Sequence, residues 1–292
     1  MKALLNIIVI SFVTISIFSQ KLEKEIASIK KIEIYNLHGG LDINGNKSDK
    51  LVLERVKYND ISNFEISDLS ISYESDNTQL GLNFKVIEKT LKISPSNTKA
   101  QFANYNIDLP KEIIISIENE KLQIKNTENE NIDQEKYSAI YIKDMKNELS
   151  IDVNASDFVI KNISGPLFLS AFSGSVEIQY AKFDQENSSM INLLGGDIKI
   201  SLPFDSKFNI EASTLSGTIK SDFTIKNASI KLVEESINLN KISGRKLKKY
   251  ENIQKITGEV NKGGSQLSVS TLAGNIKLIA TNYPVYPIIV YP

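Results

Sequence analysis

Past residue 20 the chain alternates apolar and polar positions with period two, in runs broken by polar or Gly-containing stretches. The clearest are KIEIYNL at 31–37, KLVLERV at 50–56, FEISDLSISYES at 64–75 and LNFKVIEKTLKIS at 82–94. Ile, Val, Phe and Tyr fill the apolar positions, and that pattern predicts short half-buried β-strands. The same texture runs through EIIISIE, AIYIKDM, LSIDV, DFVIKNI and PLFLSAF. Only KLVEESINLNK at 231–241 carries a weak helical spacing. The expectation is a nearly all-β chain. A polar run from Glu118 to Lys136 interrupts it and reads as a solvated loop.

Short hexads repeat within this texture. SGSVEI (173–178), GGDIKI (195–200), SGTIKS (216–221) and AGNIKL (273–278) each place a β-branched residue two positions after a Gly. GGLDI at 39–43 is a fifth copy, and SGPLFL at 164–169 a looser sixth. Gly174, Gly196 and Gly217 lie 22 and 21 residues apart, and Gly274 follows 57 later, near three intervals of 19. A longer echo aligns IDLPKEIIISIE (107–118) with ISLPFDSKFNIE (200–211) at an offset of 93. A Gly opening each strand marks a corner where φ is positive or where a neighbouring coil comes close. Val176/Ile178, Ile198/Ile200 and Ile276/Leu278 then point inward, and Glu177, Lys199 and Lys277 outward. Coils of about 20 residues stacked at about 4.8 Å would merge these aliphatics into one ladder. The expected architecture is a single-stranded β-solenoid, or parallel β-helix-like stack, whose core exists only through stacking. Val176, Ile198 and Ile219 should share a face, with Glu177, Lys199 and Lys220 in one outward column and Lys199 beside Lys220.

The G-x-I-x-I hexads, the run from Gly195 to Phe223 and GEVNKGGSQLSVSTLAGNIKL at 258–278 resemble the exported bacterial "putative adhesin" domain family of unknown function. The likeness is strongest over 149–278. It implies a β-solenoid and an envelope or extracellular location, and it brings no catalytic residues.

Residues 1–20, MKALLNIIVISFVTISIFSQ, have a positive start, an apolar run to Phe18 and small or polar residues at 19–20. This is the layout of a signal peptide over 1–19, with cleavage near Ser19 expected and retention as an anchor the alternative. No later apolar stretch is long enough to be a membrane helix. The expected organisation beyond it is a β-rich part at 20–148, regular repeats at 149–281, and a tail at 282–292. That tail, with Tyr283, Tyr286 and Tyr291 between prolines, would cap the stack or stay extended for a partner.

Composition narrows the chemistry. There is no Cys, so disulfides, thiolate nucleophiles and Cys-based metal sites are excluded. His38 is the sole His, and beside Gly39-Gly40 it reads as a turn residue. The net charge is −1 and Arg55 and Arg245 are the only arginines, which argues against nucleic acid as partner. The basic stretch at 241–249 reads as a solvated loop or as a patch for an acidic envelope polymer. Asp152, Asp157, Asp184, Asp197 and Asp205 could in principle converge as in β-helix carbohydrate-active enzymes, but their spacing suits turn formers better. The reading is a non-enzymatic, exported binding or structural protein that is periplasmic, on the cell surface or secreted. It has no catalytic, cofactor or metal residues, and an envelope polymer or protein is its partner. A carbohydrate-active enzyme, or a periplasmic stress or transport component, is the alternative.

Overall fold

The computed structural model describes residues 20–58, 64–66, 80–119, 124–126, 139–183, 188–233 and 253–281. In chain order the strands are β1 (Gln20–Glu25), β2 (Lys31–Tyr35), β3 (Leu41–Asn46), β4 (Lys50–Tyr58), β5 (Phe64–Ile66), β6 (Leu82–Ile87), β7 (Thr90–Pro95), β8 (Ala103–Pro110), β9 (Ile114–Glu118), β10 (Ile124–Asn126), β11 (Ala139–Lys143) and β12 (Leu149–Ala155). They continue as β13 (Asp157–Ile163), β14 (Leu167–Ser173), β15 (Val176–Tyr180), β16 (Ser189–Gly195), β17 (Ile198–Pro203), β18 (Phe208–Ser216), β19 (Ile219–Ser221), β20 (Lys226–Val233), β21 (Ile253–Val260), β22 (Ser265–Ala273) and β23 (Ile276–Thr281). One helical turn, α1 (Thr98–Gln101), is capped by the Asn97 side chain, which accepts from the Ala100 amide.

Two large, mostly parallel sheets result. The first has the order β1-β4-β8-β3-β11-β13-β15-β17-β23-β19, the second β20-β21-β18-β22-β16-β14-β12-β9-β2-β7-β6, and β5 pairs with β10 in a separate ribbon. Apart from the antiparallel additions β1, β4, β6, β20 and β21, the strands divide equally between the sheets, so each layer takes one strand from each. Eight such layers follow: β7/β8, β2/β3, β9/β11, β12/β13, β14/β15, β16/β17, β22/β23 and β18/β19.

Period-two side chains bury one face of each sheet against the other. In the first sheet Ile107, Ile43, Ile142, Ile160, Ile178, Ile200 and Leu278 lie in register. In the second, Ile93, Ile34, Ile117, Ile151, Leu169, Ile191, Val269 and Ala212 do the same, and every member of both ladders is buried. Tyr180, Phe183, Phe208 and Phe223 close the side of the last layers through edge-on ring contacts at 4.8, 5.6 and 5.4 Å.

Val176, Ile198 and Ile219 share the inner face as expected, with Ile276 between the last two. The glycines form the corner. A Cβ on Gly174 would lie 1.8 Å from Ser156 O, on Gly196 1.8 Å from Gly174 O, on Gly274 2.0 Å from Gly196 O and on Gly217 1.9 Å from Gly274 O. Gly39 meets Ala103 O in the same way at 1.9 Å.

Layer order departs from chain order at both ends. AGNIKL does not lie beyond SGTIKS but is inserted between it and GGDIKI, so Lys199 stands beside Lys277, and Lys220 lies one layer further. SGPLFL falls on β14 in the second sheet, opposite the other hexads. A strand-to-strand interval near 20 residues holds only in the middle, where Ile140, Phe158, Val176 and Ile198 pair at intervals of 18, 18 and 22.

The 93-residue echo marks where the chain jumps. β8 to β9 passes over the β2/β3 layer and β17 to β18 passes over the β22/β23 layer. Both jumps begin with the same turn: Ile113 N donates to Pro110 O at 3.1 Å and Ser206 N to Pro203 O at 3.0 Å. Each outer strand is then bracketed by two strands consecutive in the chain. β8 lies between β3 (parallel) and β4 (antiparallel), and β18 between β22 (parallel) and β21 (antiparallel). Antiparallel additions thus cover three of the four parallel edges, which limits edge-to-edge association. The tail expected to do this, 282–292, lies outside the described residues.

Candidate functional site

The outer face of the second sheet carries the most distinctive surface. Its middle row, Glu118, Asp152, Ser170, Asn192, Ser270 and Ser213, comes from adjacent strands in register. Ser270 Oγ donates to Asn192 Oδ1 at 2.7 Å. Beside it, toward the glycine corner, Phe172, Leu194 and Leu272 are 59%, 41% and 44% exposed. Short polar side chains next to taller apolar ones leave a trough of about 400 Å³ between Asp152, Asn154, Ser170, Phe172, Asn192 and Leu194.

Toward its other end the same face carries an ionic cluster. Glu33 lies 2.8 Å from Lys31 Nζ and 3.1 Å from Lys92 Nζ, and accepts the Tyr35 hydroxyl at 2.5 Å. Burial would raise the Glu33 carboxyl, but the hydrogen bonds from Lys31, Tyr35 and Lys92 together outweigh it and lower the pKa to about 2.

The described members of the Asp set, for which convergence was the alternative to a turn role, stand apart from one another. Asp152 lies in the trough of the second sheet, with Glu118 beside it as its one register neighbour of like charge. Asp157 and Asp197 sit at the glycine corner of the first sheet and bond the next layer. Asp157 accepts from Ser175 N and Oγ at 2.8 and 2.7 Å, and Asp197 from Asn275 N and Nδ2 at 2.7 and 3.1 Å. Asn275 Oδ1 in turn accepts from Thr218 N and Oγ1. These side chains are bonds between layers, which is more than the turn role expected of them. Asp205 is exposed in the turn after Pro203. Asp184, the 241–249 stretch and Tyr283, Tyr286 and Tyr291 lie outside the described residues. Among the described residues no group of three or more His, Cys, Asp or Glu side chains could hold a metal ion, and no helix is long and apolar enough to cross a membrane.

His38 sits at the corner between the first two layers, stacked on Phe102 at a centroid distance of 5.8 Å, with its Nε2 buried and without a hydrogen-bond partner. Burial lowers its pKa from 6.5 to about 4. The unfolded chain therefore takes up this proton first as pH falls. The proton-linked cost of His38 is absent above pH 6.5 and grows between pH 6.5 and 4, to about 3 kcal/mol at most. Glu33 has its own window: its stabilisation is present above pH 4.5 and is lost as pH falls toward 2. In urea titrations from pH 7 to 3, His38→Phe is expected to flatten the fall above pH 4.5 and leave the later one. A parallel shift of the whole curve would show that His38 is not its source.

Phe172 and Leu194 lie outside the candidate residues that composition and motifs suggest, although the sequence carries a signal for them. In PLFLSAF and INLLGG the outward positions are apolar where alternation calls for polar residues.

Fold and face together define an all-β protein of two long, mostly parallel sheets with a polar trough rimmed by exposed apolar side chains. Two solved structures are similar to it. A "putative cell adhesion protein" from Clostridium sporogenes is 15% identical with a TM-score of 0.38, covering 89% of this chain and 99% of that one. A "putative adhesin" from Bacteroides fragilis is 11% identical with a TM-score of 0.39, covering 89% and 96%. No family model and no curated protein matches the sequence.

Proposed function

We propose that this chain is an exported, non-enzymatic binding protein of the cell envelope or surface, adhesin-like and built as a β-solenoid. The observation that carries the reading is the row Phe172, Leu194 and Leu272, left in water above a polar trough on a rigid sheet. Apolar side chains grouped on one face of a soluble layer are characteristic of contact surfaces. The signal-like N-terminus supports export. Parallel strands fix the spacing of the trough groups at about 4.8 Å, so little ordering is left to be done on binding.

The test uses the full chain, tagged and expressed with its own leader. Phe172→Ser with Leu194→Ser is expected to weaken retention on washed envelopes at least tenfold while the melting temperature stays level or rises. Equal retention of this variant would sink the assignment of the trough. Recovery of the wild type only from cytosol, with residues 1–19 intact, would sink export.

A further inference from the structure

The outer face of the first sheet, opposite the trough, gathers lysines in its later layers. In the β7/β8 and β2/β3 layers its outward residues include Asp108 and Asp42, with Glu54 on the adjoining β4. From the β9/β11 layer onward they include Lys143, Lys161, Lys199, Lys277 and Lys220, all five exposed, with Glu177 in the same column as the last three and Asp157, Asp197 and Asp222 beside them.

The last three lysines are the sharpest feature. Lys199 pairs in register with Lys277, and Lys277 with Lys220, so three ammonium groups occupy one column across consecutive layers. Like charges placed side by side across strands are unfavourable. Glu177 meets the first of them, 3.2 Å from Lys199 Nζ, and is itself half exposed. Neighbouring acids are occupied elsewhere: Asp157 and Asp197 by Ser175 and Asn275, and Asp222 by the Ala280 amide at 3.4 Å. Within a chain of net charge −1, Lys199, Lys277 and Lys220 thus form a short basic strip with one acid, Glu177, in its column.

We propose that this strip binds a linear acidic polysaccharide, of the uronate class, laid along the stacking axis with carboxylates facing Lys199, Lys277 and Lys220. Charge complementarity selects a polyanion. The lysine column runs straight along the stacking axis at about 4.8 Å per layer, so an extended polymer can follow it without bending and place in its field those carboxylates that face the strip. Lysines supply point charges without the fork that arginine offers to carboxylate and phosphate alike, so the strip attracts a line of negative charge rather than a single chelated group. Single-stranded nucleic acid calls for a row of stacking aromatics, and Tyr141 is the one exposed ring among the described outward residues of this strip. This goes beyond the role proposed above, because it concerns the opposite face and does not depend on Phe172.

The experiment titrates the purified full chain with polygalacturonate by calorimetry at 20–500 mM salt, with dextran and single-stranded DNA as comparison polymers. Salt-sensitive binding to polygalacturonate is expected. The K199Q/K220Q/K277Q variant should weaken it at least tenfold and lower the slope of log affinity against log salt by about 1 per lysine. E177Q should tighten binding at least twofold, and K85Q/K89Q, on another edge, should leave it unchanged. Because the triple variant removes repulsion, its melting temperature should not fall, so a loss of affinity is separable from a loss of fold. Undiminished binding by the triple variant, equal binding to dextran, or tighter binding to single-stranded DNA than to polygalacturonate would overturn the proposal.

Discussion

Gly196→Ala is expected to be among the most damaging single substitutions in the protein, at about 3 kcal/mol or more, while Gly195→Ala next to it should be almost silent. Gly196 has φ +127, and a Cβ there would lie 1.8 Å from Gly174 O, a backbone atom of the layer below. Neither strain can relax locally, because Gly196 N also donates to Ala273 O at 2.7 Å in the layer above. A side chain would have to separate two layers or abandon a conformation that L residues rarely adopt. Gly195, by contrast, has nothing within 4 Å of its virtual Cβ. Its replacement should fall within about 0.5 kcal/mol of wild type, since alanine also restricts the unfolded chain. Urea midpoints of the pair provide the measurement. Similar losses for both would mean that the corner is looser than the glycine column implies.

The second large effect concerns the end of the chain. In a stack laid down in sequence order, removing the last strands costs one layer and leaves the rest intact. Here β22 and β23 lie between β16/β17 and β18/β19, so a chain ending at residue 261 is expected to lose two layers. β18 would keep only antiparallel β21, and β19 would lose its sole partner among the described strands, although both remain in the polypeptide. Phe208, 0% exposed in the whole protein, would be uncovered with them. Hydrogen exchange is expected to show the amides of 208–221 unprotected in this truncation and those of 139–180 still protected. Retained protection over 208–221 would mean that the last two layers are not joined through β22/β23. The same topology makes folding of this end non-local, because β18 must wait for strands synthesised some fifty residues later.

Much of the architecture is legible before any coordinates. The alternation in KIEIY, LSIDV and DFVIK assigns inward and outward faces correctly, because side-chain direction in a regular strand follows residue parity; at Asn162 a bulge breaks the parity and turns Ile163 inward. The aligned glycines predict the corner correctly, because the need for a residue without Cβ is local. The echo of I-x-L-P is visible too, but its meaning as a jump over a layer is not. Nothing in those twelve residues says which strand will fill the gap. The candidate trough was readable only as a defect, apolar residues where alternation calls for polar ones at Phe172 and Leu194, and a defect of that kind does not name its neighbours.

By itself, then, the amino-acid order determined strand content, the buried aliphatic set and the glycine corners, all properties set within a few residues. Layer order, the lysine column and the trough were decided by the tertiary structure. One G-x-I-x-I strand offers nearly the same hydrogen-bond ladder to any other. The choice among them falls to the two long jumps, the bracketing strands at each end and the side-chain bonds from Asp197 and Asn275 to the next layer.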